Sequence, residues 1–346
     1  MGRAASEGNA MIVRMLTIAL ATTGAVAVAT SVTPRSGVQD AVVAKPEEEK
    51  QVVVVVVGAA GTEEYGKSFV EWAARWESAA KRGSAAVTVV GTTKQAESDR
   101  SILQRAIKAT PRNGRLWLVL IGHGTFDQRS ARFNMKGPDV SATELAEWLD
   151  ELKRPTAIIN CASASAPFIN RCSGKGRVVL TATKSGAEMN YARFGDYLSQ
   201  VIGDPGVDLD KDGQTSLLEA WLIAARRTQD FYTENGRLST EHALIDDNAD
   251  QRGTRYDAFK GIRATAAKGG EPDGQAAHGW HLVPAEFERR MPANLAEQRD
   301  QIEDAIRRLR ANRSNLREDE YYEQLEELLV PLATIYEEAG AETSKP

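Results

Sequence analysis

Six consecutive valines, Val52 to Val57, restrict the fold of this chain more than any other stretch. β-Branched side chains favour a pleated backbone, and a run that is apolar at every position leaves no face for water, so it reads as a central strand buried on both sides. Four more short apolar runs follow: Ala85 to Val90, Leu116 to Ile121, Thr156 to Ile159 and Arg177 to Ala182. Between them the period changes to that of amphipathic helices. Phe69, Trp72, Ala73 and Trp76 share one face, and so do Ile102, Leu103, Ala106 and Ile107 within Ser98 to Ala109. Ser141 stands three residues before Glu144, which predicts a capping box and a helix through Leu152. Strands alternating with helices over short loops imply right-handed crossovers, and hence an α/β three-layer sandwich around a mainly parallel sheet.

The length of 346 residues accommodates one such domain with appendages. The expected layout is a signal peptide over 1–30, a linker over 31–50, the α/β domain over 51–265, a second linker over 266–292 and a helical hairpin over 293–340. Arg14 precedes an apolar run from Met15 to Thr30, with Ala25, Ala27 and Ala29 as small residues for cleavage. This predicts export to a periplasmic or extracellular space and no membrane span once the leader is removed; an uncleaved anchor and a start at Met11 are the competing readings. The linker over 31–50 is rich in Pro, Ser, Glu and Lys without period. A net charge of −5 with no basic stripe argues against nucleic acid as a partner.

Two of the buried runs end in reactive side chains. Leu116 to Ile121 leads into Gly-His123-Gly, and Thr156 to Ile159 leads into Asn-Cys161-Ala-Ser. In open parallel sheets ligands sit beyond the carboxyl ends of the strands, which would bring His123 and Cys161 to one rim. An imidazole beside a thiol lowers its pKa and later protonates the leaving amine. An oxyanion would be held by the N–H of Gly124 and by that of Cys161, placed at the start of a helix. Cys172 is the other cysteine, and a Cys161–Cys172 disulfide would disable the nucleophile.

The apolar strand ending in His-Gly, and the second ending in Cys followed by small residues, resemble the signature of the caspase and legumain clan of cysteine endopeptidases over about Val52 to Leu198. That resemblance implies a caspase-like fold, a peptide or protein substrate, His123 as general base and Cys161 as nucleophile. Tyr191-Ala-Arg-Phe-Gly-Asp196 is similar to the legumain segment carrying an acidic pocket residue, so Asp196 is implied as a substrate-binding carboxylate favouring Asn or a basic residue before the scissile bond. The sequence departs from the clan where Cys161-Ala-Ser-Ala-Ser-Ala166 lacks the usual Gly, and where Ile159 replaces a pocket Glu of legumains. A catalytically inactive protein-binding module with the same fold is the alternative. The bacterial-type members that join such a domain to an acidic loop and a helical tail look most similar in layout.

That acidic loop is Asp208 to Glu219. Asp208, Asp210, Asp212, Gly213, Gln214, Ser216 and Glu219 occupy positions 1, 3, 5, 6, 7, 9 and 12 of an EF-hand. Three aspartates, the Gln214 carbonyl, a water near Ser216 and a bidentate Glu219 would satisfy calcium in a structural role, ahead of a helix from Leu217 to Tyr232. The later Asp246-Asp-Asn-Ala-Asp250 cluster reads as a turn. His278, His281 and His242 lack an evident third ligand and read as loop or surface residues. From Leu295 to Ala339 apolar residues at helical spacing flank Asn312 to Arg317, which predicts an antiparallel hairpin available to a protein partner, with Pro331 kinking or restarting its second arm.

Overall fold

A computed structural model of the chain describes residues 51–343 except 94, 112–113 and 266–270. The expected leader and first linker lie outside the described residues. The chain is a mixed α/β structure with a seven-stranded sheet. In chain order its strands are β1 (Gln51–Val57), β2 (Ala86–Val90) and β3 (Arg115–Ile121), then β7 (Thr156–Asn160), β8 (Arg177–Thr181), β9 (Leu244–Asp246) and β10 (Thr254–Arg255), with the short β4 (Gly124–Phe126), β5 (Ala131–Phe133) and β6 (Val140–Ser141) between β3 and β7. The order across the sheet is β10-β9-β8-β7-β3-β1-β2, parallel from β8 to β2, with β9 and β10 antiparallel at one edge.

The valine run behaves as its composition demands. Val53, Val55 and Val57 face one core and Val54 and Val56 the other, all at most 3% exposed. Burying a valine side chain in this way stabilises by about 1.5 kcal/mol or more. The first core is closed by α1 (Glu63–Arg82), α5 (Phe194–Val201) and α6 (Leu217–Glu234), the second by α2 (Asp99–Ala109), α3 (Ala142–Asp150) and α4 (Pro167–Cys172). The Ser141–Glu144 capping box forms, and Ser98 caps α2 through the N–H of Ser101.

Several short elements carry no periodic signal. The stretch through Gly137 and Pro138 joins β5 to β6, which form a small antiparallel sheet with β4. The strand β9 is only three residues long, and the edge strand β10 two. The segment expected to link over 266–292 buries Ala277, Trp280 and Leu282 in the first core. Trp280 meets Trp117 edge-on at 5.0 Å, and Leu217 donates its N–H to the Trp280 carbonyl at 2.8 Å. A lone tryptophan among Gly and Pro has no period from which to read such burial.

Beyond it lie α7 (Gln275–His278), α8 (Glu286–Arg290), α9 (Ala293–Ala311) and α10 (Glu318–Thr343). Leu295 near the start of α9 packs with Ile335 and Ala339 near the end of α10, so the two arms are antiparallel. The second arm does not restart at Pro331: α10 runs through it as one helix. Among the described residues no helix is long and apolar enough to cross a membrane.

Candidate functional site

In this strand order the direction of winding reverses between β1 and β3, and a crevice opens beyond the ends of those strands. Gly58, just past β1, donates its N–H to Ile121 at 2.9 Å, so the two strand ends leave the sheet together. A Cβ at Gly58 would stand 2.3 Å from the Asn134 carbonyl, which leaves room for glycine alone. His123 sits over this reversal. Its Nε2 lies 3.1 Å from the Ala60 carbonyl, and its ring meets Tyr65, Phe69 and Tyr191 edge-on at 5.2, 5.3 and 6.3 Å.

Cys161 continues the inward alternation of β7. Ala157, Ile159 and Cys161 face the first core, with Trp117, Val119 and Ile121 of β3 beside them. The thiol lies under α1 and α5: a Cβ placed on Gly195 would come within 2.6 Å of the Cys161 Cβ, 3.1 Å of its Sγ and 3.0 Å of the Trp72 ring. Trp72 also meets Phe69 and Tyr191, so one aromatic cluster borders both His123 and Cys161. No hydrogen bond joins the two.

The nucleophile position is closed. Cys161 is 1% exposed, and burial pushes its thiol far above the ordinary range, with the nearby Glu241 charge adding to the effect. The two expected oxyanion donors are spent. The Cys161 N–H bonds to Leu120 O at 2.9 Å as part of the sheet, and the Gly124 N–H bonds to Ser163 Oγ at 3.2 Å. The helix expected at Cys161 begins at Pro167 instead. Between them lies a buried turn with Ala164 at φ +52°, which removes the helix-start geometry that would have freed the Cys161 N–H. Cys172 is also a free, buried thiol, but it belongs to the second core, so the sheet separates it from Cys161 and no disulfide forms.

Asp196 opens α5 and pairs with Arg75 of α1 at 2.6 Å, while Gln200 donates to the same oxygen at 2.9 Å. Glu241 is a site residue that sequence reading missed. It is 2% exposed and accepts the N–H groups of Arg193 and Phe194 and the Tyr232 hydroxyl, so it anchors the start of the helix that covers the thiol. Burial raises its carboxyl against the pull of those donors. A lone Glu in a polar loop gave no signal of this.

The acidic loop lies toward the other end of the sheet. Asp208, Asp210 and Asp212 each offer an oxygen within 4.8 Å of the others. Lys211 at φ +66° and Gly213 at φ +90° bend the backbone around them, and Asp208 accepts the N–H groups of both. Glu219 is 1% exposed and fully engaged: one oxygen takes the N–H groups of Leu209 and Asp210, the other the N–H and hydroxyl of Ser216 in a capping box. The Gln214 side chain accepts from Ala285 N–H at 3.3 Å. The three aspartates therefore converge, while the Glu219 carboxylate is turned to the loop's own backbone; the Gln214 side chain, which is not the carbonyl expected as a ligand, pairs with a neighbour.

The histidines read as loop residues arrive at this loop. His278 Nε2 lies 2.7 Å from Asp210 Oδ2, which holds the Asp210 carboxyl below its usual range. His281 Nε2 is 3.9 Å from Asp212 Oδ2, beyond hydrogen-bond reach. Burial pushes the Asp212 carboxyl up to about 6, with the Asp210 and Glu219 charges adding to it. Asp212, Gln214, His278 and His281 line a cleft of about 900 Å3 between the amino ends of the strands, marked by Gln51, Arg115 and Pro155, and the hairpin, marked by Phe287, Arg299 and Tyr336. His242 is elsewhere, paired with Glu188 at 2.6 Å. The Asp246 to Asp250 turn anchors α7: Asp247 accepts the N–H groups of Gly274 and Ala277, and donates its own N–H to Asp273.

No family model matches the chain, and no curated protein matches it. Among solved structures it is similar to the Drosophila initiator caspase Dronc, at 12% identity and a TM-score of 0.40, over 60% of this chain and 83% of that one.

Proposed function

We propose that the chain is an exported, caspase-like cysteine endopeptidase in a closed state, with Cys161 as nucleophile and His123 as general base. The supporting observation is that the ends of the paired strands β3 and β7 carry these two residues beside one aromatic cluster. In the reaction His123 takes the thiol proton, Sγ adds to the peptide carbonyl, and the amine leaves with that proton; water then hydrolyses the acyl-enzyme. For Sγ to reach a peptide, the Tyr191 to Gly195 segment must move off it. The substrate preference implied for Asp196 requires its release from Arg75.

A second reading has its own observation: a thiol 1% exposed, with both expected oxyanion donors occupied, suits an inactive binding module. Thiol-reactive peptidyl inhibitors with Asn, Arg or Asp in the first position separate the two. Labelling of Cys161 that is lost in His123→Ala supports the peptidase; absence of labelling together with absence of peptide hydrolysis overturns it in favour of the module.

Calcium in the Asp208 to Glu219 loop is proposed alongside, on the three converging aspartates. Adding calcium to stripped protein should raise its melting temperature, and an unchanged value would remove the ion. A protein partner on the hairpin is proposed because Tyr322, Leu329 and Val330 of α10 are exposed.

A further inference from the structure

The sheet ends differently on its two sides. At one end stands β10, two residues long, with Arg255 in it and Arg252 just ahead of it. A short, charged edge of this kind discourages pairing with another chain. At the other end stands β2, five residues long, Ala86-Val-Thr-Val-Val90. From Gly83 to Thr93 the chain carries no charged residue, no proline and no side chain larger than valine, so none of the usual devices protects this edge. Ala86 and Thr88 are exposed, and Val87 and Val89 are half-buried against the first core.

The direction of its free backbone groups follows from the ladder. Along a strand, successive residues turn their N–H and C=O to opposite neighbours. Cys161 donates its N–H to Leu120, and Gly58 donates to Ile121, so the odd positions of β3 bond to β1 and the even positions of β1 bond to β3. The odd positions of β1 are left for β2. Val55 stands opposite Val89 in that register and bonds to the residues on either side of it, Thr88 and Val90. The N–H and C=O of Val87 and Val89 therefore point outward, on the side where no described strand pairs.

Those four groups fit a second copy of the same strand. Turned antiparallel about Thr88, Val87 stands opposite Val89 of the second copy and Val89 opposite its Val87, and each pair exchanges two hydrogen bonds. Thr88 meets its own counterpart on the two-fold axis, at a non-hydrogen-bonded position where side chains come closest. The flanks agree in sign: Lys81 and Arg82 precede the strand, while Glu97 and Asp99 against the single Lys94 follow it. Antiparallel pairing sets a basic flank beside an acidic one at both ends. A two-fold contact needs one patch that complements itself, and this edge does so in backbone and in charge.

We infer that β2 is an interaction edge whose partner is a second copy of this chain, paired antiparallel about Thr88 so that the two seven-stranded sheets become continuous. The pairing is independent of the state of Cys161.

Sedimentation of the full chain from about 1 to about 100 µM tests this, with two substitutions at the exposed Thr88. The unaltered chain is expected to form a dimer in that range. Thr88→Lys sets like charges face to face on the axis and should raise the dimer dissociation constant at least about tenfold, with the monomer's melting temperature unchanged. Thr88→Cys reads the register directly. Cα atoms of a non-hydrogen-bonded pair stand about 4.5 Å apart, within the reach of a disulfide, so mild oxidation should link two chains at least about tenfold faster than in Thr93→Cys. A dimer that Thr88→Lys leaves intact and Thr88→Cys does not link uses another surface and overturns the inference. A chain that stays monomeric to about 100 µM overturns it too, and slow alkylation of the thiol introduced by Thr88→Cys in that monomer would assign the edge to a segment of the same chain.

Discussion

The two ends of one sheet handle reactive side chains in opposite ways. Beyond the carboxyl ends of β3 and β7, His123 and Cys161 each border one aromatic cluster, and packing closes the thiol under Gly195 and Trp72. Toward the amino ends, Asp212 lines a cleft, Asp208 and Asp210 converge on it, and a distant segment brings His278 to Asp210 and His281 near Asp212. Inward alternation, which is what a strand needs, works against a nucleophile. Irregular backbone, which a loop retains, leaves donors available to a ligand. Topology alone makes a crevice; whether a side chain in it can react depends on what packs over it.

The largest test of that contrast is Cys161→Ala. In an active peptidase it should cut peptide hydrolysis by more than about a thousandfold while the melting temperature holds, since a small buried thiol is replaced by a small buried methyl. Equal activity in both proteins would show that the rim is inert.

Removing the latch should move the rim toward reactivity. Glu241→Ala leaves the N–H groups of Arg193 and Phe194 and the Tyr232 hydroxyl without their acceptor, at a cost of about 2–4 kcal/mol. Native-state modification of Cys161 by a small disulfide reagent should accelerate in this variant, read by mass spectrometry against Cys172 as internal reference. If both thiols speed up equally, global unfolding explains the change and the Glu241 latch is not local.

Gly195→Ala pushes the other way. Its methyl would meet the Cys161 Cβ at 2.6 Å, so about 1–3 kcal/mol of stability should be lost by overpacking. A chemical denaturation midpoint unchanged from wild type would mean that α5 already stands off the thiol in solution.

The smallest effect belongs to the amino end. Burial lifts the Asp273 carboxyl to about 7, with the Asp247 and Asp246 charges adding to it. A raised carboxyl holds its proton longer folded than unfolded, so this contribution is present at low pH and is lost as pH rises from about 4 to about 7. Asp273→Asn should therefore gain about 1–2 kcal/mol relative to wild type at pH 8 and little at pH 4. Parallel stability curves for the two proteins across that range would exclude the effect.

Much of the architecture was legible because it follows from local rules. The valine run, the apolar strands before His123 and Cys161, the Ser141 capping box and the hairpin depend on period and cap chemistry, which neighbours in sequence carry; Glu219, read as a calcium ligand, instead closes a capping box with Ser216. The parallel pairing of β3 and β7 followed from that alternation. The antiparallel strands β9 and β10 did not, being too short to show a period, and neither did the burial of Trp280 within a stretch of Gly and Pro.

For the two sites, sequence determined which chemical groups stand near one another along the chain: a thiol and an imidazole after apolar strands, and three aspartates at alternate positions of a turn. Tertiary structure alone decided their state. It covered Cys161, engaged the Gly124 N–H with Ser163, gave Arg75 to Asp196, and set His281 beside Asp212. The physical reason is range. Backbone propensity and capping act over a few residues, whereas desolvation and the pairing of polar groups depend on whichever distant segment fills the space, and no local pattern encodes that partner.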